Sequence, residues 1–143
     1  MKPINLAVML LVLSLFGNVV CADVILKARD EVQGTWKLDY SENSVHEKQP
    51  IDNNLVWIFK AGKITILQIP DEGIYYGQSP VPFDIQPPIA YFIKSGKLRI
   101  PIVDSSKFNT FAVVKIDNDV MVLRGRLKNY YYFNAFVMPP YLP

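Results

Sequence analysis

Short runs of β-branched and aromatic residues, separated by polar turns, extend over most of the chain. Three pairs of runs flank turns rich in Gly, Asn or Asp and predict β-hairpins. The pairs are residues 55–59 with 64–69, 89–93 with 98–102, and 108–116 with 120–127. Further runs lie at residues 33–40, 74–77 and 130–137. About eight strands at intervals of about ten residues predict an all-β, antiparallel fold, either a barrel or a sandwich.

Both faces of several predicted strands are apolar. In the run at 108–116, Phe111 and Val113 alternate with Ala112 and Val114, so neither face is clearly the solvent side. This pattern is typical of a closed barrel whose interior is filled by side chains or holds a small ligand. A sandwich with an interaction surface on one outer face would give the same pattern, so alternation alone leaves both open.

The first 22 residues have the pattern of a secretory signal peptide. Lys2 is the only charged residue in this segment, residues 6–16 are almost purely apolar, and the segment ends in Val20-Cys21-Ala22 before Asp23. The apolar run is shorter than the ~20 residues that a membrane-spanning helix needs. We therefore predict cleavage after Ala22, and a periplasmic or secreted location.

Cys21 admits a second reading, as the lipid-modified first residue of a bacterial lipoprotein. That processing favours a small residue before the cysteine and an aliphatic residue three before it, whereas this chain has Val20 and Asn18. We therefore favour simple cleavage. The mature chain then has no cysteine, which excludes a disulfide framework and thiolate chemistry. Residues 23–143 are predicted to form one domain with a proline-rich tail at 138–143.

Charge is nearly balanced, with 15 basic and 13 acidic residues in 143. Because Lys2 is the only charge in the predicted signal peptide, the mature chain keeps a formal charge near +1. A near-neutral domain predicts no broad electrostatic surface for nucleic acid or anionic lipid. The mature chain has no second long apolar run, so no stable membrane insertion is expected after signal cleavage.

Three short motifs stand at intervals along the predicted strands. Gly34-Thr35-Trp36 is in the first strand, Trp57-x-Phe59 stands before Gly62, and the pair Tyr131-Tyr132 is in the last strand. With these motifs, the sequence resembles the lipocalins and the small bacterial lipocalin-like domains over residues 32–136, and their first strand carries the Gly-x-Trp motif. The resemblance implies an up-and-down barrel of about eight strands.

The resemblance also implies roles for single residues. Trp36 would plug one end of the barrel, and Arg124 or Arg126 from a late strand would stack on its indole. The proline-rich segment at 79–88 departs from the pattern. Proline cannot donate a ladder hydrogen bond, so this segment is predicted to be an edge, a bulge or a long loop, and it leaves the strand count open.

Motifs for catalysis or for metal binding are missing from the sequence. The single histidine, His46, stands in a polar segment and is expected to be solvated. No cysteine cluster or histidine pair has zinc-ligand spacing, and no glycine-rich phosphate loop or nucleophile elbow is present. Asp117 and Asp119 could form a weak calcium site, but a turn is the better interpretation. We expect no cofactor, no metal and no enzymatic activity.

Aromatic side chains and arginines are the best candidates for binding. They would line a cavity or an interface, and they supply large contact areas at low conformational cost. The candidate binding residues are Trp57, Phe59, Tyr91, Phe111, Arg124, Arg126 and Tyr132. Packing of these aromatics into the core is the more ordinary explanation. For the proline-rich tail, we favour an end in solvent over docking into a partner.

Three functions are compatible with the sequence. The first is a carrier that binds a small apolar ligand inside the barrel. The second is a periplasmic inhibitor or immunity protein, which binds a toxin or hydrolase as its protein partner. The third, a barrel enzyme, is the weakest, because arginine does not transfer protons near neutral pH. We favour the carrier.

Overall fold

The computed structural model describes residues 22–51, 54–69 and 83–138, which form antiparallel β-structure preceded by a 3-10 helix at Arg29–Val32. The strands are β1 (Gly34–Glu42), β2 (Lys48–Pro50), β3 (Leu55–Lys60), β4 (Lys63–Gln68), β5 (Phe83–Ala90), β6 (Phe92–Lys94), β7 (Lys97–Pro101), β8 (Phe108–Ile116), β9 (Val120–Arg124) and β10 (Tyr130–Ala135). The predicted strand at 74–77, nearly all of the predicted signal peptide and the end of the tail lie outside the described residues. Within the described ranges, no helix is long and apolar enough to cross a membrane.

The strands form a nearly closed barrel. Their order is β5-β4-β3-β1-β10-β9-β8-β7-β6, and β2 pairs only with β1. β5 pairs with β4 and β6 pairs with β7, while Tyr91 alone separates β5 from β6. These two short strands are therefore successive parts of one run that joins the two edges of the sheet. The predicted antiparallel barrel is confirmed. The barrel has eight strands when β5 and β6 are counted as one. The total of ten described strands comes from the break at Tyr91 and from β2, which pairs only with β1.

The proline-rich segment contributes a β-bulge to the barrel wall. Gln86 of β5 is opposite Ile66 of β4, and Ile89 is opposite Ile64. Two residues of β5, Pro87 and Pro88, therefore stand against one residue of β4. Both prolines are exposed. A bulge accommodates them because its extra residue makes no ladder hydrogen bond, so the lack of a proline N–H costs little.

The 3-10 helix covers one end of the barrel, which we call the closed end. Its last residue, Val32, is fully buried, and the indole Nε1 of Trp36 donates to the Val32 carbonyl at 3.1 Å. The Tyr91 hydroxyl, from the break between β5 and β6, donates to the Arg29 carbonyl at 2.7 Å. These two side-chain hydrogen bonds tie both ends of the helix to the barrel wall.

Gly34 explains why this end of the barrel starts with Gly-x-Trp. Its φ is +148°, and a Cβ at this position would lie 3.2 Å from Nε1 of Trp36. Glycine adopts this φ without strain and lets the indole fold back to reach the Val32 carbonyl, whereas a Cβ would push the ring by a few tenths of an ångström. Trp36 is 5% exposed at the closed end.

The hydrophobic core lies inside the barrel. Inward side chains alternate with outward ones along each strand, as the pleat requires. The buried cluster consists of Leu26, Val32, Trp36, Leu38, Phe59, Ile64, Tyr91, Leu98, Ile100, Phe111, Val113, Met121, Leu123 and Phe133. No polar or charged side chain is buried among the described residues. The buried part of the interior is therefore apolar wherever the structure describes it.

Candidate ligand-binding interior

Aromatic rings fill the middle of the barrel. Trp57 points inward from β3, and its ring centroid lies 5.9 Å from that of Phe111 on β8, in an edge-to-face arrangement. Three strands separate β3 from β8 on either side of the ring, so this contact joins opposite walls. Phe133 lies 4.9 Å from Trp57, and Tyr131 lies 5.9 Å from Phe111. These four side chains form a layer across the barrel, which we call the aromatic floor.

Burial changes across the aromatic floor. On its closed-end side, Phe59 and Tyr91 are 0% and 1% exposed and meet edge to face at 5.1 Å. In the floor itself, Phe133 is fully buried, whereas Trp57 and Tyr131 are only half-buried. The closed half of the barrel is thus filled by its own side chains. The floor presents partly accessible aromatic surface toward the other half.

The structure brings most of the predicted binding residues together inside the barrel. Trp57, Phe59, Tyr91 and Phe111 all face the interior and belong to, or pack against, one core cluster. Phe59 and Tyr91 lie below the aromatic floor, where they are too deeply buried to meet a ligand. Trp57 and Phe111 are the two predicted residues that the floor itself contains.

The expected stacking of Arg124 or Arg126 on Trp36 is wrong. Trp36 is opposite Ala135 at one end of β10, whereas Arg124 is opposite Tyr130 at the other end. Alternation along β9 also turns Arg124 outward, because Leu123 is in the core. Arg126 is exposed in the turn after β9. Neither guanidinium can therefore reach the indole, and Arg124 faces away from the barrel interior.

Arg124 instead holds the N-terminal segment against the outside of the barrel. Its Nη1 donates to Oδ1 of Asp23 at 2.9 Å, and its Nη2 bonds the other carboxylate oxygen. This bidentate hydrogen bond to Asp23 raises the pKa of Arg124. The next residue, Val24, donates its N–H to the Val113 carbonyl at 2.7 Å. The Asp23–Arg124 ion pair therefore has a structural role, because it holds the N-terminal segment against β8 and β9.

Tyr132 also faces outward, in a cluster beside β2. Its ring stacks on Tyr40, with centroids 4.3 Å apart, and its hydroxyl donates to Oε2 of Glu42 at 3.3 Å. The Nζ of Lys48 lies over the Tyr40 ring, 4.2 Å from its centroid. His46, whose side chain is 68% exposed, places Nδ1 3.2 Å from the same Glu42 oxygen. Desolvation and the negative charge of Glu42 raise the pKa of Tyr132 to about 12.

This cluster predicts a pH dependence. The fold favours the neutral phenol of Tyr132, so its contribution to stability is present below pH 10 and is lost as the pH rises toward about 12. Glu42→Gln removes the repelling charge, and the pKa of Tyr132 should fall toward its ordinary value. Absorbance at 295 nm during alkaline titration measures this, with Tyr132→Phe as the assignment control. An unchanged titration curve in Glu42→Gln would contradict the assigned cause.

Asp117 is a turn residue. Its Oδ1 accepts from the N–H groups of Asp119 and Val120, both at 2.8 Å, and these bonds lower its pKa. The carboxylate oxygen therefore closes the turn between β8 and β9, which accounts for Asp117 without a calcium ion. Among the described residues, no three carboxylate, histidine or cysteine side chains are grouped to hold a metal.

Phe133 and Tyr131 belong to the floor but were not among the predicted binding residues. Four aromatics in succession, residues 130–133, conceal which face of β10 is internal. The usable signal is Asn134, an exposed polar residue that shares a face with Tyr132. It indicates that Tyr131 and Phe133 point inward.

This architecture defines the molecule as a lipocalin-like barrel. The sequence matches no protein-family model and no curated protein. Two solved structures share the fold. A lipocalin-like protein from Bacteroides uniformis ATCC 8492 is 14% identical with a TM-score of 0.56, and the match covers 74% of this chain and 99% of that one. An uncharacterized protein from Bacteroides eggerthii DSM 20697 is 15% identical with a TM-score of 0.56, covering 73% of this chain and 98% of that one.

Proposed function

We propose that this protein is an exported, non-enzymatic binding protein that holds a small apolar ligand inside its barrel. The ligand would rest on the aromatic floor, against Trp57, Phe111 and Tyr131. The observation that carries the proposal is the half-buried state of Trp57, an inward-facing tryptophan in contact with the opposite wall. A large inward-facing aromatic surface that the protein's own side chains do not cover is suited to an apolar ligand.

The chemistry of the wall supports an uncharged ligand and no catalysis. The core cluster contains no carboxylate, lysine, arginine or histidine among the described residues. A charged ligand would lose its hydration there without gaining a partner, which costs several kcal/mol. Export is supported by the sequence pattern of residues 1–22. We do not propose the inhibitor or immunity-protein alternative, because the fold is shared with a lipocalin-like protein.

Binding of N-phenyl-1-naphthylamine, an uncharged aromatic probe, tests the proposal. The probe should bind saturably, and its fluorescence should rise on binding. In Trp36→Phe, where Trp57 is the single tryptophan, the probe should also quench the tryptophan emission. Trp57→Leu keeps an apolar wall but removes the indole ring on which an aromatic probe would stack. We expect it to weaken binding about tenfold, since the stacking contact and the lost area together are worth about 1.4 kcal/mol.

Phe92→Ser is the matched control, because Phe92 is an exposed aromatic on the outer wall. It should leave the affinity for the probe unchanged. Probe binding that fails, or that depends on Phe92 and not on Trp57, would contradict an interior site. Melting curves of each variant separate lost binding from lost folding.

A further inference from the structure

The outer face of β6, β7 and β8 carries exposed aromatic rings among basic side chains. Phe92 and Phe108 are 46% and 37% exposed, and their rings meet edge to face at 6.2 Å. The Arg99 guanidinium lies over Phe108, 4.1 Å from the ring centroid. We call these three residues the Phe92 face. Lys94 and Lys97 flank it at the hairpin turn, and the described residues form no ion pair with either lysine or with Arg99.

A groove of about 390 Å³ continues this face along β6. It is lined by Phe92 and Ile93 on one side and by Lys27, Ala28 and Arg29 on the other. The neighbouring carboxylate of Glu31 is engaged within the chain, because Oε1 accepts the N–H groups of Lys27 and Ala28 at 2.7 and 2.9 Å. The groove therefore joins Phe92, an exposed aromatic residue of the outer wall, to two further basic side chains, Lys27 and Arg29.

The groove also has an unpaired strand edge. β6 and β7 are joined by a two-residue turn, Ser95-Gly96, with φ of 53° and 74°, so Lys94 and Lys97 form the hydrogen-bonded pair next to the turn. The N–H and C=O of Ile93 then point away from β7. No bond to either group is present within the described chain. An extended peptide placed in the groove could pair with both.

The other wall of the groove is on that same side of β6. The Tyr91 N–H, just before β6, donates to the Gly62 carbonyl at 3.3 Å. Arg29 packs over Gly62 so closely that a Cβ there would lie 2.9 Å from its Nη1. The same segment also meets the other end of the hairpin, where the Leu26 N–H donates to the Gly96 carbonyl at 3.0 Å. Ile93 is therefore the one residue of β6 whose main-chain groups the described chain leaves free, and the groove lies between it and residues 27–29.

We propose that the Phe92 face and this groove bind an extended acidic segment of a protein partner, which pairs with Ile93 of β6 as a short added strand. Main-chain bonds to Ile93 would set the register, the basic side chains would attract the segment, and the rings would cover its apolar positions. The positive charge disfavours a second copy of this chain, because pairing two such faces would bring Arg99 and the hairpin lysines of both copies together.

Fluorescence anisotropy with a fluorescein-labelled Glu-Thr-Glu-Val-Glu-Thr-Glu peptide tests the proposal. Arg99→Glu should weaken binding at least about tenfold, since it reverses a charge at the centre of the face. Lys37→Glu is the matched control. Lys37 also lies over a phenylalanine ring, 5.9 Å from the centroid of Phe136, but on β1, which is on the opposite side of the ring of strands. Its affinity for the peptide should be unchanged.

Three further measurements separate this site from the alternatives. The same peptide N-methylated at every residue keeps its charge but has no main-chain donors, and its affinity should fall at least about tenfold if a strand is added. Trp57→Leu, which tests the interior ligand, should not alter peptide binding. Equal losses in Arg99→Glu and Lys37→Glu would reduce the effect to general charge and overturn the proposal. So would Arg99-dependent binding to phosphatidylglycerol-containing vesicles without binding of the peptide.

Discussion

Trp36→Ala should lower the free energy of unfolding by about 3–5 kcal/mol, the range for removal of a large buried aromatic side chain. The indole is 5% exposed, fills the closed end and satisfies the carbonyl of Val32, which is itself fully buried. The variant therefore leaves a cavity and an unpaired acceptor together. Urea unfolding monitored by circular dichroism gives the difference.

Trp36→Phe separates these two losses. It keeps most of the apolar volume but cannot donate to Val32, so we expect a smaller loss of about 1–2 kcal/mol. The hydrogen bond from Tyr91 to Arg29 remains in both variants and should keep the 3-10 helix attached. If Trp36→Ala unfolded at nearly the same urea concentration as the wild type, Trp36 would not close the barrel end.

Phe133→Ala should also cost about 3–5 kcal/mol, because Phe133 is fully buried and supports the middle of the barrel. Its ring centroid is 4.9 Å from that of Trp57, so the loss should also change the near-ultraviolet circular dichroism of Trp57. Thermal and urea unfolding measure the stability. The dichroism reports the packing of the floor.

Asn134→Ala is the control, one residue further along β10. Asn134 is exposed on the outer face, so its replacement should change stability by no more than about 0.5 kcal/mol. The contrast between neighbouring positions tests the register of β10 directly. If Asn134→Ala were as destabilising as Phe133→Ala, the assignment of inner and outer faces would be wrong.

Local sequence signals predicted the hairpins well. Gly62 and Gly96 both have positive φ in the turns that the sequence indicates, with φ of 75° and 74°. The runs around these turns became β3 with β4 and β6 with β7. A hairpin depends on residues close in the chain, so its turn chemistry is readable without knowing the rest of the fold.

The position of the arginines could not be predicted in this way. Arg124 was expected at the closed end, but the register of β9 with β10 places it opposite Tyr130, at the other end, where it pairs with Asp23. Asp23 and Arg124 are 101 residues apart, and no local pattern relates them. A stacking role carried over from a family resemblance holds only if the strand register of this chain brings the two residues together.

The aromatic run at 130–133 shows the same limit for the interior. Alternation divides these four residues into two faces, but all four are aromatic, so hydrophobicity does not identify the inner one. Closure of the barrel decides it, because pairing of β10 with both β1 and β9 turns Tyr131 and Phe133 inward. Tyr132 is left outside, against Tyr40 and Glu42.

Residue type and short-range periodicity are enough to predict the β class, most of the strands and the apolar character of the core. Strand order and register, which involve residues far apart in the chain, fix which aromatics form the floor, that the closed half is filled, and where the charges lie. A nearly neutral chain conceals a basic, aromatic face on β6, β7 and β8, because net charge is a sum over residues whereas a binding surface depends on strand order and orientation.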